Sequence, residues 1–484
     1  MNSLMPDNIT PEECPVIEGS QRVRESFAAY LEDESRLSGG EVSAIYFPEN
    51  TAQVVDAVRK AGGSIIVSGS RTGIAGGAVG LEGASIISLE KMDKQLGKHR
   101  LQAGVKLEDI KTDAGAYYPV DPTEMTASIG GTVSTDASGA RTYYYGSTRN
   151  FIKGITVVLA DSSVLKISRG EVTSEGGQFI IGDTVVPVAD INMPDTKNTA
   201  GLFLKKEMDL IDLFIGSEGL LGIVTEVEIT TAPIPENRLF LVVYAGDEAQ
   251  ALDFVKAVKS KDDLDSLAIE YFDTNAVSLV RTVENAPHIP DDAACAIYLE
   301  LLMESEDAEE ALAEVLDACG LDMDSTWAGF EEKELAEMKR FRHLVPETVN
   351  AMIGQRRKEL PELHKIGTDT AVPEGRLGDL LEYSRSAIES KGIDYVVFGH
   401  IGNNHLHINM IPSSMETLEA AKEIYVDVAR KSVELGGTVS AEHGIGRLKK
   451  HFLEIQFSYE ELEAMRTVKK ALDPECRLNP GVMI

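Results

Sequence analysis

With 484 residues, 43% of them hydrophobic, the chain is long enough for about two to four domains, each with its own core. Forty-six basic against seventy-nine acidic residues leave a formal charge of −33, a field that counts against nucleic acid and anionic membrane surfaces as partners. No apolar run approaches the roughly 18 residues that span a bilayer.

The opening MNSLMPDNITPEECP has neither a basic n-region nor an apolar h-region, so cytoplasmic residence is the expectation. Cys14, Cys295, Cys319 and Cys476 lie far apart without a CxxC, which offers neither a disulfide framework nor an iron-sulfur pattern. Any one-electron relay then belongs to another molecule.

Residues 1–40 read as a lead-in with one amphipathic helix over Ser20–Leu37. AIYFPEN, TAQVVDAVRKAGG and SIIVSGS follow as strand, helix and strand, with Gly62 and Gly63 ending the helix. An α/β unit starts here. The next loop, SGSRTGIAGGAVG from Ser68 to Gly80, fits neither GxGxxG nor P-loop spacing. Its glycines and Thr72 can still turn backbone N–H groups toward a pyrophosphate, and Arg71 adds a positive charge; taken alone it is equally a plain turn.

A further strand pair is read in SIISLEKMDK and HRLQAGVKLEDI. The stretch Asp121 to Phe151 is too poor in bulky apolar residues to be core. Its small residues let a ligand approach the backbone, and its hydroxyls with Arg141 offer donors to an anionic, ring-bearing molecule. That describes a cofactor cradle, the plain alternative being a long surface loop. GITVVLADSSVLKI reads as a hairpin, and LIDLFIGSEGLLGIVTEVEITTAP as a helix, a glycine-rich turn and a strand.

The runs SGSRTGIAGGAV, DPTEMTASIGGTVSTDASGARTYYYGSTRNFI and KNTAG with GSEGLLGIVTEV, in this order over about 180 residues, resemble the FAD-binding domain of vanillyl-alcohol-oxidase-type flavoproteins. The resemblance implies a two-subdomain FAD-binding domain over 41–236. The first loop would wrap the pyrophosphate, the Asp-Pro and Ile-Gly-Gly segments would lie along the flavin, and the Gly-Ser-Glu-Gly turn near the adenosine side or ribityl chain. Implied contacts are Ser68, Gly69, Ser70, Arg71, Thr72, Gly73, Pro122, Thr123, Ser128, Gly131, Ser134, Thr135, Gly139, Arg141, Gly222 and Ile223. The family often has glycine where this chain has Arg71. About twenty-five residues, Ser168 to Asn192, read as an insertion carrying the hairpin SEGGQFIIGDTVVPV, with no role assigned.

Beyond Pro235, RLFLVVYAG, DEAQALDFVKAVKS, CAIYLELLME and EDAEEALAEVLDACG alternate strand and helix, the order of a ferredoxin-like α+β substrate or cap domain over 237–430. Its charge run Glu304 to Glu314 reads as a solvated helix face. In DYVVFGHIGNNHLHINMIP, His400 sits in a glycine-bounded turn, and His405, His407 and Asn409 occupy alternate positions of a strand, hence one face. GGTVSAEHGIGRLKK adds Glu442 and His443. Three of the nine histidines within eight residues, with a carboxylate, favour a divalent-metal set over ordinary hydrogen-bonded core.

This region resembles the FAD-dependent D-2-hydroxyacid dehydrogenases, the group of D-lactate dehydrogenases, glycolate oxidase catalytic subunits and D-2-hydroxyglutarate dehydrogenases. Their GHxGDGNLHxN is here GHIGNNHLHIN, and their SxEHGxG is SAEHGIG. The resemblance implies an α+β fold in which 431–484 packs back on the FAD domain, Asn479 of ALDPECRLNPG returning to the flavin. It also implies that His400, His407 and Glu442 bind a zinc-like ion, with manganese or iron as other options, that Asn409 helps hold substrate, and that His443 is the base. Arg342 in KRFRHLVPE and Lys365 in LHKIGTDTAVP align with substrate-binding cations. Asn403, Asn404 and His405 replace the family's Asp, Gly and Asn, which makes His405 a candidate extra ligand.

The expected function is oxidation of a D-2-hydroxyacid, D-lactate or glycolate-like, with hydride passing to flavin N5. Electrons would leave to a separate iron-sulfur protein or electron-transferring flavoprotein, and a homodimer is admissible. Two other readings stay open. A non-catalytic flavin-binding subunit would lack the metal set; a non-redox flavin transferase resembling alkylglycerone-phosphate synthase would carry a histidine cluster in place of Ala441 to Gly444.

Overall fold

Strand Ala44–Tyr46, buried at every residue, runs parallel to Ser85–Ser88, which pairs in turn with parallel Ile65–Ser68. Helix Thr51–Lys60 connects the first and last of these and buries Val54, Val55, Ala57 and Val58; the Asn50 side chain caps it by accepting from Gln53 N. This α/β unit is the first layer of a computed structural model that describes residues 3–322, 325–329 and 332–484.

Two expectations for this half change. Ser85–Ser88 and Arg100–Gln102 do not pair: the first is internal to the parallel sheet, whereas the second edges a four-stranded antiparallel sheet with Ile223–Ile229, Ile152–Val158 and Val164–Ser168. The chain crosses between the sheets over residues 89–99, and Gly104, just past the second strand, packs on the start of that crossing: a Cβ there would stand 2.2 Å from Leu89 O, so the two segments touch backbone to backbone. The lead-in helix also stops early. It covers Ser20–Ser26, followed by a 3-10 turn at Ala28–Tyr30, because Phe27 and Tyr30 turn onto Phe47 and the buried Asp33 carboxylate accepts from Ser35 N and Ala78 N.

The inserted hairpin forms as Gln178–Ile181 against Thr184–Pro187, and Ser3–Leu4 joins it in parallel. Its buried Phe179 and Val186 belong to the same core as Leu462, Met465 and Val468 of helix Tyr459–Leu472.

The second half is built on a seven-stranded sheet in the order Thr326–Gly329, Arg238–Ala245, Cys295–Leu302, Asp265–Phe272, Asp394–Gly399, His407–Ile411, Ile366–Gly367, with every neighbouring pair antiparallel. Strand Asp265–Phe272 and helix Thr274–Arg281 interrupt the strand–helix–strand run expected between Arg238 and Leu302. Strands Arg238–Ala245 and Asp265–Phe272 are therefore parallel with Cys295–Leu302 between them, and the sheet continues past a four-stranded ferredoxin-like unit. One face buries Phe254, Val255, Leu381 and Val428 from covering helices; the other buries Met338, Phe341 and Val345. The first three glutamates of the charge run after Glu304 are exposed, as a solvated helix face requires.

The C-terminal segment returns to the first half. Leu478 bridges Ile65 in parallel, Asn479 Oδ1 accepts from Val67 N, and Asn479 Nδ2 donates to Glu218 O. Buried Lys469 ties the same corner, donating to Leu220 O, Leu478 O and Asp473 Oδ2. Among the described residues no helix is long and apolar enough to cross a membrane.

Candidate active site

A cavity of about 390 Å³ lies between the Ser68 to Gly80 loop, the Asp121 to Phe151 stretch and the C-terminal turn, and His400, Glu442 and His443 stand on its wall. Of the expected contacts, Gly69, Ser70, Arg71, Thr72, Gly73, Pro122, Thr123, Ser128, Gly131, Ser134, Thr135, Gly139, Gly222 and Asn479 line it. Three do not. Ser68 is fully buried with its hydroxyl toward Gly69 O, and Ile223 opens a strand inside the core. Arg141 is drawn away by charge: its Nε lies 2.7 Å from Glu300 Oε2 of the second-half sheet and 3.7 Å from Asp121 Oδ2.

Arg71 takes the left-handed backbone a glycine would take, with φ 62°. Its guanidinium packs 4.3 Å over the Tyr30 ring and 3.4 Å from Glu90 Oε2, so part of its charge is already answered.

Four imidazoles gather on the other side, of which His400 and His443 line the cavity. Gly399, at φ 123°, turns the chain after strand Asp394–Gly399 so that His400 donates from Nδ1 to Glu270 Oε1 at 2.7 Å and leaves Nε2 3.3 Å from Glu442 Oε2. His407 opens the next strand, donates from Nδ1 to Thr368 O at 3.2 Å, and leaves Nε2 3.2 Å from Glu442 Oε1. In the neutral form of each ring the other nitrogen carries the lone pair that a ligand histidine requires. His405 lies before the strand, not in it, held by a single bridge to Ala371; it is fully buried, with Nδ1 3.9 Å from Glu442 Oε2. Asn409 is on the strand and 4% exposed, beside Gly367, outside the donor group.

His443 stacks on His407 with 5.4 Å between centroids, Nε2 3.3 Å from Glu442 Oε1 and Nδ1 3.4 Å from Asp369 Oδ2. Asp369 fixes this turn by accepting from the backbone N–H groups of Glu442 and His443, from Ser440 Oγ and from Lys449 Nζ. Glu218 fixes the next one through Ile445 N and Gly446 N.

Burial opposes charge on His443, but the adjacent Asp369 carboxylate outweighs it and lifts the imidazole to about 9, above the value near 6.5 of an unperturbed side chain. His400 rises to about 9 likewise, burial being overcome first by Glu270. At His405 burial and then the nearby Lys197 charge outweigh Glu442 and Asp369, and the imidazole is driven well below its usual range. Glu442 stays well below the ordinary carboxylate range against its burial, first through Lys197 and then His400.

Lys197, Glu270, Asp369 and Glu218 escaped the sequence reading as site residues. Lys197 is 5% exposed and pairs with Glu442. Glu270 and Glu300 did carry a signal, each being a lone carboxylate in an apolar strand, which must find a partner. Arg342, on helix Glu332–Arg356, makes no hydrogen bond or ion pair among the described residues; burial opposes its charge, but Glu270 and then Asp121 hold it firmly protonated. Lys365 is not brought to Arg342 by any contact among the described residues. Its charged neighbour is Arg36 of the lead-in, which adds to burial in lowering the ammonium's pKa.

Residues 42–168 match the family described as FAD binding domain, and residues 234–483 match the C-terminal domain of FAD linked oxidases. The chain belongs to the FAD-linked oxidases. This FAD-linked oxidase is 29% identical to a D-2-hydroxyglutarate dehydrogenase of Stutzerimonas stutzeri over 94% of either chain. It is 29% identical to a D-lactate dehydrogenase of Anaerostipes hadrus, covering 90% of this chain and 87% of that one. For glycolate oxidase subunit GlcD of Bacillus subtilis the identity is 26%, covering 87% and 83%. A solved alkyldihydroxyacetonephosphate synthase superposes with TM-score 0.63 at 15% identity, covering 91% of this chain and 76% of its own. That likeness is one of fold.

The cavity fits the flavin that the FAD-linked oxidases carry. Ser128 Oγ is buried on its wall without a hydrogen-bond partner, and a Cβ on Gly69 would stand 2.4 Å from that oxygen. At Gly139 a Cβ would meet Asp121 O at 2.1 Å, so Gly139→Ala must displace the Asp121–Thr123 segment, whose Pro122 and Thr123 line the cavity. We expect this FAD-linked oxidase to lose about 1–3 kcal/mol of stability and most of its bound flavin on that change. Thermal melting and the flavin-to-protein absorbance ratio check it; an unchanged ratio would mean the cavity does not hold the flavin.

Proposed function

We propose that this FAD-linked oxidase oxidises a D-2-hydroxyacid, D-lactate or glycolate-like, to the 2-oxoacid and passes the electrons to a separate acceptor protein. The observation that carries the reading is that His400, Glu442 and His443 stand on the wall of the cavity, with His407 directly behind them beside Glu442. The names of the relatives, all acting on or named for 2-hydroxyacids, support it.

When bound, FAD supplies the hydride acceptor and a divalent ion, zinc by the resemblance, supplies Lewis acidity toward the 2-hydroxyl. The cavity-lining residues from Gly69 to Asn479 would hold the flavin, and His400, His407 and Glu442 the ion. His443 takes the hydroxyl proton at Nε2, while Asp369 at Nδ1 orients the ring and stabilises the imidazolium that forms. Arg342 and Asn409 anchor the substrate carboxylate and so select which face of the α-carbon is presented. Lys365, with Arg36, adds a second positive locus against the chain's acidic field. The seven-stranded half acts as the substrate cap.

The donor set counts against a non-catalytic flavin-binding subunit, which has no use for it. Anaerobic mixing of the FAD-loaded protein with D- and L-2-hydroxyacids is expected to bleach the flavin with D substrates. Absence of bleaching by every 2-hydroxyacid would overturn the reading, and rapid stoichiometric peroxide in air would replace the separate acceptor with oxygen.

A further inference from the structure

His405 is the residue at this site that hydrogen bonding does not explain. It is fully buried, yet neither ring nitrogen has a hydrogen-bond partner. Nε2 is 3.2 Å from Asp369 Oδ1, off the line of a hydrogen bond, and Nδ1 is 3.9 Å from Glu442 Oε2. An imidazole sealed from water without a well-aligned hydrogen-bond partner carries the desolvation cost of a buried polar group. An apolar side chain of the same volume would fill the space without that cost.

The surroundings say what Nδ1 faces. Potential donor atoms of His400, His405, His407 and Glu442 all lie within 4.8 Å of one another. His400 and His407 each have the remote nitrogen committed, to Glu270 and to Thr368 O, with the inner nitrogen left over. Donor atoms at about 2.0–2.2 Å from a common ion stand about 3 to 3.6 Å apart, near the spacings of 3.2, 3.3 and 3.9 Å found from the Glu442 oxygens to His407, His400 and His405.

We infer that His405 is a fourth protein ligand, through Nδ1, making a three-histidine, one-glutamate centre in which the chain itself already supplies four donors. The inference rests on the proposed function for the presence of an ion. Its consequence is chemical. Zinc is almost always complete at four ligands, so a zinc ion here would have no position for substrate, whereas a 2-hydroxyacid chelating through its hydroxyl and one carboxylate oxygen brings the count to six. The site then suits an ion that accepts six donors, of the manganese(II) or iron(II) kind, better than the zinc that the resemblance implies.

The test uses the full chain with FAD bound, stripped of metal by chelator and reloaded with manganese(II) alone. X-ray absorption at the metal edge counts imidazoles: three are expected in the unmodified protein and two in His405→Gln, with the manganese dissociation constant at least tenfold weaker in the variant. The count in the unmodified protein decides the matter even if the variant folds poorly. Stoichiometric manganese with two imidazoles, or a variant that binds it equally tightly, overturns the inference and leaves the hydroxyacid reading standing. Failure of the unmodified protein to hold manganese, zinc or iron(II) overturns both.

Discussion

Replacing His443 by alanine is expected to slow anaerobic flavin reduction by a D-2-hydroxyacid 10²- to 10⁴-fold, the usual contribution of one positioned base, with flavin and metal content unchanged. The ring is the one imidazole of the four whose inner nitrogen faces the cavity without belonging to the three-histidine donor group, and Asp369 holds its other nitrogen. Because Asp369 lifts His443 to about 9, the base form grows as pH rises through that region, and so should the rate. Asp369→Asn removes the negative charge, lowers the imidazole's pKa and should move the rise to more acidic pH. Stopped-flow absorbance across a pH series measures both; a His443→Ala rate equal to that of the unmodified protein ends the assignment.

For Arg342→Met we expect kcat/KM to fall about 10- to 150-fold, the equivalent of losing a charged hydrogen bond worth about 1.5–3 kcal/mol. Arg342 is the uncommitted guanidinium at the site: its charge is held by Glu270, Asp121 and Glu300 at a distance, and no contact closer than an ion pair consumes its donors among the described residues. A planar fork can grip a carboxylate at two points, so Arg342→Lys should recover only part of the loss. The discriminating control is the amide of the same hydroxyacid. If Arg342 reads the carboxylate, the amide is a poor substrate for the unmodified protein and is scarcely affected further by the substitution; a similar loss with acid and amide would assign Arg342 to structure instead.

Much of this architecture was legible. Helix Thr51–Lys60 announces itself by Asn50 and a buried Val54, Val55, Val58 stripe, and the hairpin of Ile152–Val158 with Val164–Ser168 by the polar turn at residues 161–163 between two apolar runs. The cavity was marked by small residues that no core would use, and the clustered histidines by their density. Strand Asp265–Phe272 was missed because a nearly continuous apolar run gives no period to read, and its Glu270 looked like an interruption. The lead-in helix was overextended because aromatic packing on Phe47 and side-chain bonds of Asp33 outweigh helical periodicity.

Sequence alone determined which family the chain belongs to and which residue types gather at the site: glycine spacing and histidine density are local properties, written in neighbouring residues. Only the tertiary structure decided which charges remain free to act. Arg141 and Arg342 are both arginines in family motifs, yet the fold sets Glu300 against the first and leaves the second uncommitted, and it brings Lys197, Asp369 and Glu270 from three distant segments onto the imidazoles. Pairing of buried charges depends on distances of a few ångströms between residues tens to hundreds of positions apart, and no local pattern records those.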